Sequence, residues 1–296
     1  MLLLYKFPYV IVFITNFKGV FDMKRLFSVA ALSVCLSLGV TTQVVAGDTP
    51  TAQTKQQSGV VINLAGKQRM LTQKMSKEAL FIAKGISVDA NKASLAKTVA
   101  LFDKTLTGLA SGDESLKLPA TTNKDILAQL KVVSDLWTPF KASIEKGDLD
   151  AINKGNIPLL KNMNKAVQMY AKASGSKLDP EMAKTINLAG KQRMLTQKMT
   201  KELLLIANGI DAKANTENIK KTASLFEKTL NDLITGTKDA GIKTQLEVVK
   251  TLWADYAPIV TKADTSDASL AKAEKLNIPL LKEMNKGVQM YEASIK

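Results

Sequence analysis

The chain contains no histidine, one cysteine and only 5% aromatic residues, and each shortage removes a class of function. Without histidine, the usual general base near neutral pH and the commonest metal ligand are missing. The single cysteine, Cys35, lies in an apolar N-terminal run, so the remainder can form no disulfide and offers no thiol. No common metal-ligand spacing and no nucleophile–base pair is present, so neither an enzyme nor a metal or cofactor site is expected. After the N-terminal region there is no second run of about 18 apolar residues. Arginine is also scarce: of 41 basic residues only Arg25, Arg69 and Arg193 are arginine.

The N-terminus reads as an export signal. Met23-Lys24-Arg25 is a basic start, Leu26 to Val40 an apolar core, and Val44-Val45-Ala46 a small-residue cleavage site. Residues 1–46 are therefore a signal region, with Met23 as the expected true start, and 47–57 a flexible linker. The mature protein is expected in a periplasm. The formal charge of +14 could suit nucleic acid, but the lysines are scattered along amphipathic stretches with no basic block and no aromatic interleaving. A solvated lysine face is the reading, and no nucleic-acid partner is expected.

What is present is helical and repeated. Long Ala/Leu/Lys/Met stretches favour helix, because straight-chain residues lose little rotamer freedom there. INLAGKQRMLTQKM occurs at 62–75 and again at 186–199, an offset of 124. TVALFDKTL (98–106) answers TASLFEKTL (222–230), Trp137 answers Trp253, and NIPLLKNMNKAVQMY (156–170) answers NIPLLKEMNKGVQMY (277–291). Each repeat predicts four helices, near 58–86, 91–110, 122–146 and 148–174, then 179–210, 215–235, 240–263 and 267–295. The expected fold is all-α: two tandem antiparallel four-helix bundles, 58–175 and 179–296. The short Gly175–Pro180 linker would set them side by side as a pseudo-dimer, first helix facing first helix.

One helical stripe carries Ile62, Gly66, Arg69 and Gln73, and its copy Ile186, Gly190, Arg193 and Gln197. A second stripe, Leu64, Leu71, Met75 and Ile82, is the expected core face. Glycine inside a helix costs about 1 kcal/mol against alanine. Close approach of the two first helices at Gly66 and Gly190 would compensate. Arg69 and Arg193 would then share one space. In so lysine-rich a chain, arginine at both places implies a use for its planar, permanently charged fork, which matches oxyanions. Facing guanidinium groups repel, and an anion between them would relieve the repulsion. The residues leave a second possibility open: each arginine could be structural, paired with Glu78, an aspartate or a carbonyl.

The repeated INLAGKQRMLTQKM, with NIPLLKNMNKAVQMY, resembles the signature of the NarX/PilJ-type sensor domain over essentially all of 58–295. The resemblance implies four-helix bundles paired through helix one, with nitrate or nitrite held at the seam. Carried over by position, Arg69 and Arg193 would grip the anion, Gly66 and Gly190 would allow close approach, and Asn63, Lys67, Gln73, Asn187, Lys191 and Gln197 would flank it. The implied function is that of a sensor reporting to a membrane-bound receptor or kinase. The rival is a helical interaction protein that binds a membrane receptor or pilus component and no small ligand. Asp103 and Glu227 read as a solvated helix face, Trp137 and Trp253 as core anchors, and Met163, Met169, Met284 and Met290 as core filling.

Overall fold

The computed structural model describes residues 54–296. The expected signal region and cleavage site lie outside the described residues, as does most of the expected linker. Eight α-helices follow in order: α1 Lys55–Ala83, α2 Val88–Ser111, α3 Lys124–Lys146, α4 Leu149–Ala173, α5 Pro180–Ala207, α6 Ala212–Gly236, α7 Ala240–Lys262 and α8 Asp267–Ala293. No strand occurs among the described residues. The described residues form one compact unit.

Helix ends fall where side chains satisfy the free backbone groups. α1 starts three residues before the expected position because Thr54 and Gln57 form a capping box, each side chain bonding the other's backbone N–H. Asn123, Asp148, Asp179, Asp239 and Ser266 cap α3, α4, α5, α7 and α8. Pro180 occupies the first turn of α5, where its missing N–H costs nothing. Gly147 closes α3 at φ 67°, a left-handed position that suits glycine. The two long breaks carry short 3-10 turns, Glu114–Leu116 and Ser174–Ser176.

Each repeat packs its first helix against its second and fourth, and its third against its fourth. α1 and α5 then lie against each other as the most extensive helix pair of the molecule. Matched residues meet across this seam, so the two helices run parallel: Arg69 reaches Asn187 while Arg193 reaches Asn63. At the far end, Ser87 before α2 and Asn91 of α2 donate to Glu274 of α8, and Asn153 of α4 donates to Asp211 before α6.

The central position of α1 and α5 corrects the stripe assignment. Ile62, Gly66, Arg69 and Gln73 are all buried, while of the expected core face Leu71 and Met75 are buried and Leu64 and Ile82 are only half-buried. A helix enclosed by its own bundle on one side and by a twin helix on the other buries polar and apolar residues alike. The peripheral helices complete the apolar core to which α1 and α5 contribute residues such as Met75, Phe81, Met199 and Leu204. Trp137 stacks on Phe102 at 4.3 Å and Trp253 on Phe226 at 4.7 Å. Met163 and Met284 are fully buried, and Met169 and Met290 pack at the edge of the core. Asp103 is more than a solvated residue: it accepts from Trp137 Nε1 at 2.6 Å and pairs with Lys141 at 2.6 Å.

A paired-arginine candidate site

Arg69 and Arg193 are each 1% exposed and rank among the largest fully buried side chains. The repeated motif places both on the α1–α5 seam, and each is held from two directions. Arg69 Nη1 donates to Asn164 Oδ1 of α4 at 2.7 Å, and Arg193 Nη1 to Asn285 Oδ1 of α8 at 2.8 Å. Nη2 crosses the seam. Arg69 Nη2 donates to the Asn187 carbonyl at 3.2 Å, and Arg193 Nη2 to the Asn63 carbonyl at 3.1 Å. Among the described residues neither guanidinium has a carboxylate within ion-pair distance. Both Nε–H groups are buried and lack a partner. A buried cation without a counter-charge is costly, and an orphaned donor adds to the cost.

The glycines act differently from the expectation. A Cβ on Gly66 would lie 3.3 Å from Arg69 Nη2 and 3.8 Å from Arg193 Nη2. On Gly190 it would lie 3.4 Å from Arg193 Nη2 and 3.7 Å from Arg69 Nη2. No atom of the opposing backbone falls within 4 Å of either position. Gly66 and Gly190 therefore clear room for two guanidinium groups; they do not seat backbone on backbone. The nitrogens of both arginines meet over the same two glycines.

Lys67 and Lys191 extend the positive charge. Each is half-buried at the seam, and each ammonium is shifted down from its ordinary value, first by burial and then by the arginine of the other half: Arg193 for Lys67, Arg69 for Lys191. Burial lowers Arg69 to about 10. Burial together with the neighbouring Arg69 lowers Arg193 to about 9, against a small opposing effect of Glu292. Four cationic groups thus converge with one carboxylate nearby, and proximity of a second anion would favour their charged forms.

The asparagines of the motif are unequal. Asn187 Oδ1 accepts from Arg69 Nη2 at 2.8 Å. Asn63 instead donates its Nδ2 to Glu292 of α8, and its Oδ1 is buried without a partner.

Gln73 and Gln197, expected to flank the arginines, belong to a separate polar layer about one turn further along. Gln73 Nε2 donates to Asn156 Oδ1 at 2.9 Å, and Gln197 Nε2 to Asn277 Oδ1 at 2.8 Å. Asn156 also donates to the Thr72 carbonyl and Ser76 Oγ, and Asn277 to the Thr196 carbonyl and Thr200 Oγ1. The same two asparagine oxygens accept from buried lysines of the other half: Lys201 on Asn156 at 2.8 Å and Lys77 on Asn277 at 2.9 Å. Burial lowers each of these lysines to about 8. Beside them, Glu78 pairs with Lys74 and Glu202 with Lys198.

Asn164, Asn285, Asn156, Asn277 and Glu292 were not among the residues singled out from sequence. The first four sit in the retained segments NIPLLKNMN (156–164) and NIPLLKEMN (277–285), whose eight-residue asparagine spacing places both on one helix face; that spacing was the available signal.

The family described as "Type IV pili methyl-accepting chemotaxis transducer N-term" matches residues 51–162 and 180–277, one match in each repeat. McpN, a methyl-accepting chemotaxis protein of Pseudomonas aeruginosa, is 28% identical over 122 residues, which cover 39% of this chain and 22% of the relative. The similarity thus spans less than a quarter of that protein's length.

Proposed function

The chain belongs to the family of type IV pili methyl-accepting chemotaxis transducer N-terminal domains, which ties it to sensory signal transduction, and on that footing we propose that its paired arginines hold a small oxyanion, nitrate or nitrite. One observation carries the reading: two buried guanidinium groups, one from each repeat, meet over Gly66 and Gly190 with no carboxylate partner and no acceptor for either Nε–H group among the described residues. A planar anion supplies what that arrangement lacks. Its negative charge offsets the mutual repulsion, and its oxygens accept from donors fixed in a plane. Lys67 and Lys191 add to the attraction. The NarX-like specificity for nitrate is part of the same proposal.

Binding acts on the seam between α1 and α5. With an anion present, the free energy that favours separation of Arg69 from Arg193 is removed, so the bound state favours a closer or stiffer α1–α5 pair. That change is what a membrane-bound receptor or kinase would read. Placement of the mature chain in the periplasm, after removal of a signal in residues 1–46, completes the reading.

The test is thermal melting with millimolar nitrate, nitrite, sulfate or chloride. An anion at 100 times its dissociation constant stabilises by about 2.7 kcal/mol. Nitrate or nitrite should raise Tm more than chloride at equal ionic strength, and Arg69→Ala and Arg193→Ala should each abolish the difference. Equal responses to all four salts would point to an interaction protein without a small ligand.

A further inference from the structure

The two approaches to the arginine pair are built differently although the motif is the same on both sides. Helix α4 aligns with α8 at an offset of 121, so Ala171 is the counterpart of Glu292. Beside Asn187, which accepts from Arg69, lies a cleft of about 360 Å³ bordered by Gln168, Ala171, Lys172, Ala183 and Lys184. On the opposite side, beside Asn63, the corresponding ground is filled. Glu292 bonds Asn63, and its stem lies against Gly59. Ile295 packs so closely over Gly59 that a Cβ there would collide with it.

Charge follows the same division. Two exposed lysines, Lys172 and Lys184, border the cleft. A carboxylate stands at the filled side, and it draws the Asn63 amide away from Arg193. Size and sign differ together: the ground beside Asn187 holds a cleft bordered by Lys172 and by Lys184, the latter paired with Glu181 at 3.4 Å, whereas the ground beside Asn63 is filled and carries Glu292 against the motif itself. A small anion is attracted to the first and repelled from the second, and its local concentration at the mouth rises accordingly.

We propose that the oxyanion reaches the paired arginines from one side, through the cleft between α4 and α5 beside Asn187, and that Glu292 is the specificity-determining residue that closes the other side to anions. The inference rests on the oxyanion reading above and adds to it a direction of entry and a residue with no equivalent in the first repeat. The two arginines are also braced unequally from across the seam. On the Asn187 side a ligand faces an arginine braced by both oxygens of Asn187, and on the Asn63 side one braced by a single carbonyl.

Calorimetric titration of the full chain with sodium nitrate and with sodium nitrite, at constant ionic strength, tests this. Ala171→Glu, which copies the closed side onto the open one, should weaken binding at least tenfold, whereas Ala171→Gln, nearly equal in size but uncharged, should weaken it far less. Lys184→Glu, at an exposed position that leaves the fold intact, should weaken binding several-fold and serves if Ala171→Glu fails to fold. Glu292→Gln, which keeps the bond to Asn63 and removes the charge, should tighten binding several-fold. Association rates measured by stopped flow on the same variants separate route from site charge: wild-type binding with affinity and association rate both unchanged in Lys184→Glu, Ala171→Glu and Glu292→Gln would overturn the one-sided route and leave the oxyanion site standing. Absence of binding by wild type and Glu292→Gln alike would overturn both.

Discussion

In the layer of Asn156 and Asn277, each half of the molecule does to the other what the other does to it. Lys77 crosses to Asn277, Lys201 crosses to Asn156, and the supporting glutamines, threonine carbonyls and ion pairs correspond; the hydroxyl that each asparagine reaches differs only in being Ser76 in one half and Thr200, which also bonds Tyr256, in the other. One turn away, in the arginine layer, the correspondence is partial. The guanidinium contacts to Asn164 and Asn285 match, but Asn187 serves Arg69 while Asn63 serves Glu292. A layer that only holds two halves in register gains nothing from inequality, because any loss in one arm is a loss of the whole joint. A layer that receives a ligand from outside has a front and a back. The difference locates the structural layer and the candidate binding layer in one pair of helices.

The comparison can be broken most forcefully at the asparagines. Asn156→Ala strands the Lys201 ammonium and three further polar groups of α1, and Asn277→Ala does the same to Lys77 and α5. Removing one partner of a buried charge costs about 3–5 kcal/mol. Urea denaturation should therefore place both variants in that range and within about 1 kcal/mol of each other. A large gap between them would end the claim that this layer is balanced.

The same lysines predict an unusual pH profile. Their ammonium groups are held at about 8, below the value of an exposed lysine, by burial against the opposing pull of Glu78 and Glu274 on Lys77 and of Glu202 on Lys201; Lys74 and Lys198 lower them further. In the window between about 8 and 10.5 the unfolded chain binds more protons than the folded one, so stability rises with pH. The cost of burying the charged form is full below about pH 8 and is relieved as the folded-state group deprotonates. The gain is on the order of 3 kcal/mol for each lysine across that window. Denaturation midpoints at pH 7.5 and 10 should show the rise, and Lys77→Met should lose roughly half of it. A midpoint that falls over the same interval in wild type would contradict the burial of these charges.

A smaller test uses a natural difference. Tyr256 of α7 shares a hydrogen bond of 2.6 Å with Thr200, whereas the first repeat has Phe140 at the matching place. Tyr256→Phe should cost about 1 kcal/mol, the ordinary net value of one such bond. A loss near zero would mean that the two halves are equally stable there without it.

The least expected change in stability comes from Gly66→Ala. Alanine is the better helix former by about 1 kcal/mol, and its methyl would crowd guanidinium nitrogens without meeting backbone. The variant should melt within a few degrees of wild type yet lose most of the nitrate response in calorimetry. Retained binding would show that the glycines are not there to make room for the arginines and their guest.

Much of this was legible from sequence for reasons that can be named. The helices followed from composition and from breakers such as Lys146-Gly147-Asp148, and the duplication from an identical 14-residue segment. Arg69 and Arg193 stood out because the surroundings were lysine, so the choice of the other cation was informative. The helix-four asparagines carry no such signal, because asparagine in a helix usually faces solvent or a cap, and only tertiary placement reveals that Asn156 and Asn164 point at helix one. Gln73 was misplaced by the same limit. Four residues beyond Arg69 is the same face, but one turn of rise is enough to deliver the amide to a different neighbour. Glu292 was visible only as a mismatch just after a retained segment, and without contacts a mismatch has no meaning.

The two arginines stand 124 positions apart on one continuous polypeptide, joined through the turn at Ser174–Ser176 and Pro180. Two separately made copies of one subunit must carry every mutation twice, on both flanks of their shared axis. A fused pair escapes that rule. One flank can change alone, as the pairing of Ala171 with Glu292 illustrates, and an investigator can do the same with one codon and obtain a homogeneous sample. Formation of the seam is also first order, so dose–response curves for the ligand should superimpose at every protein concentration.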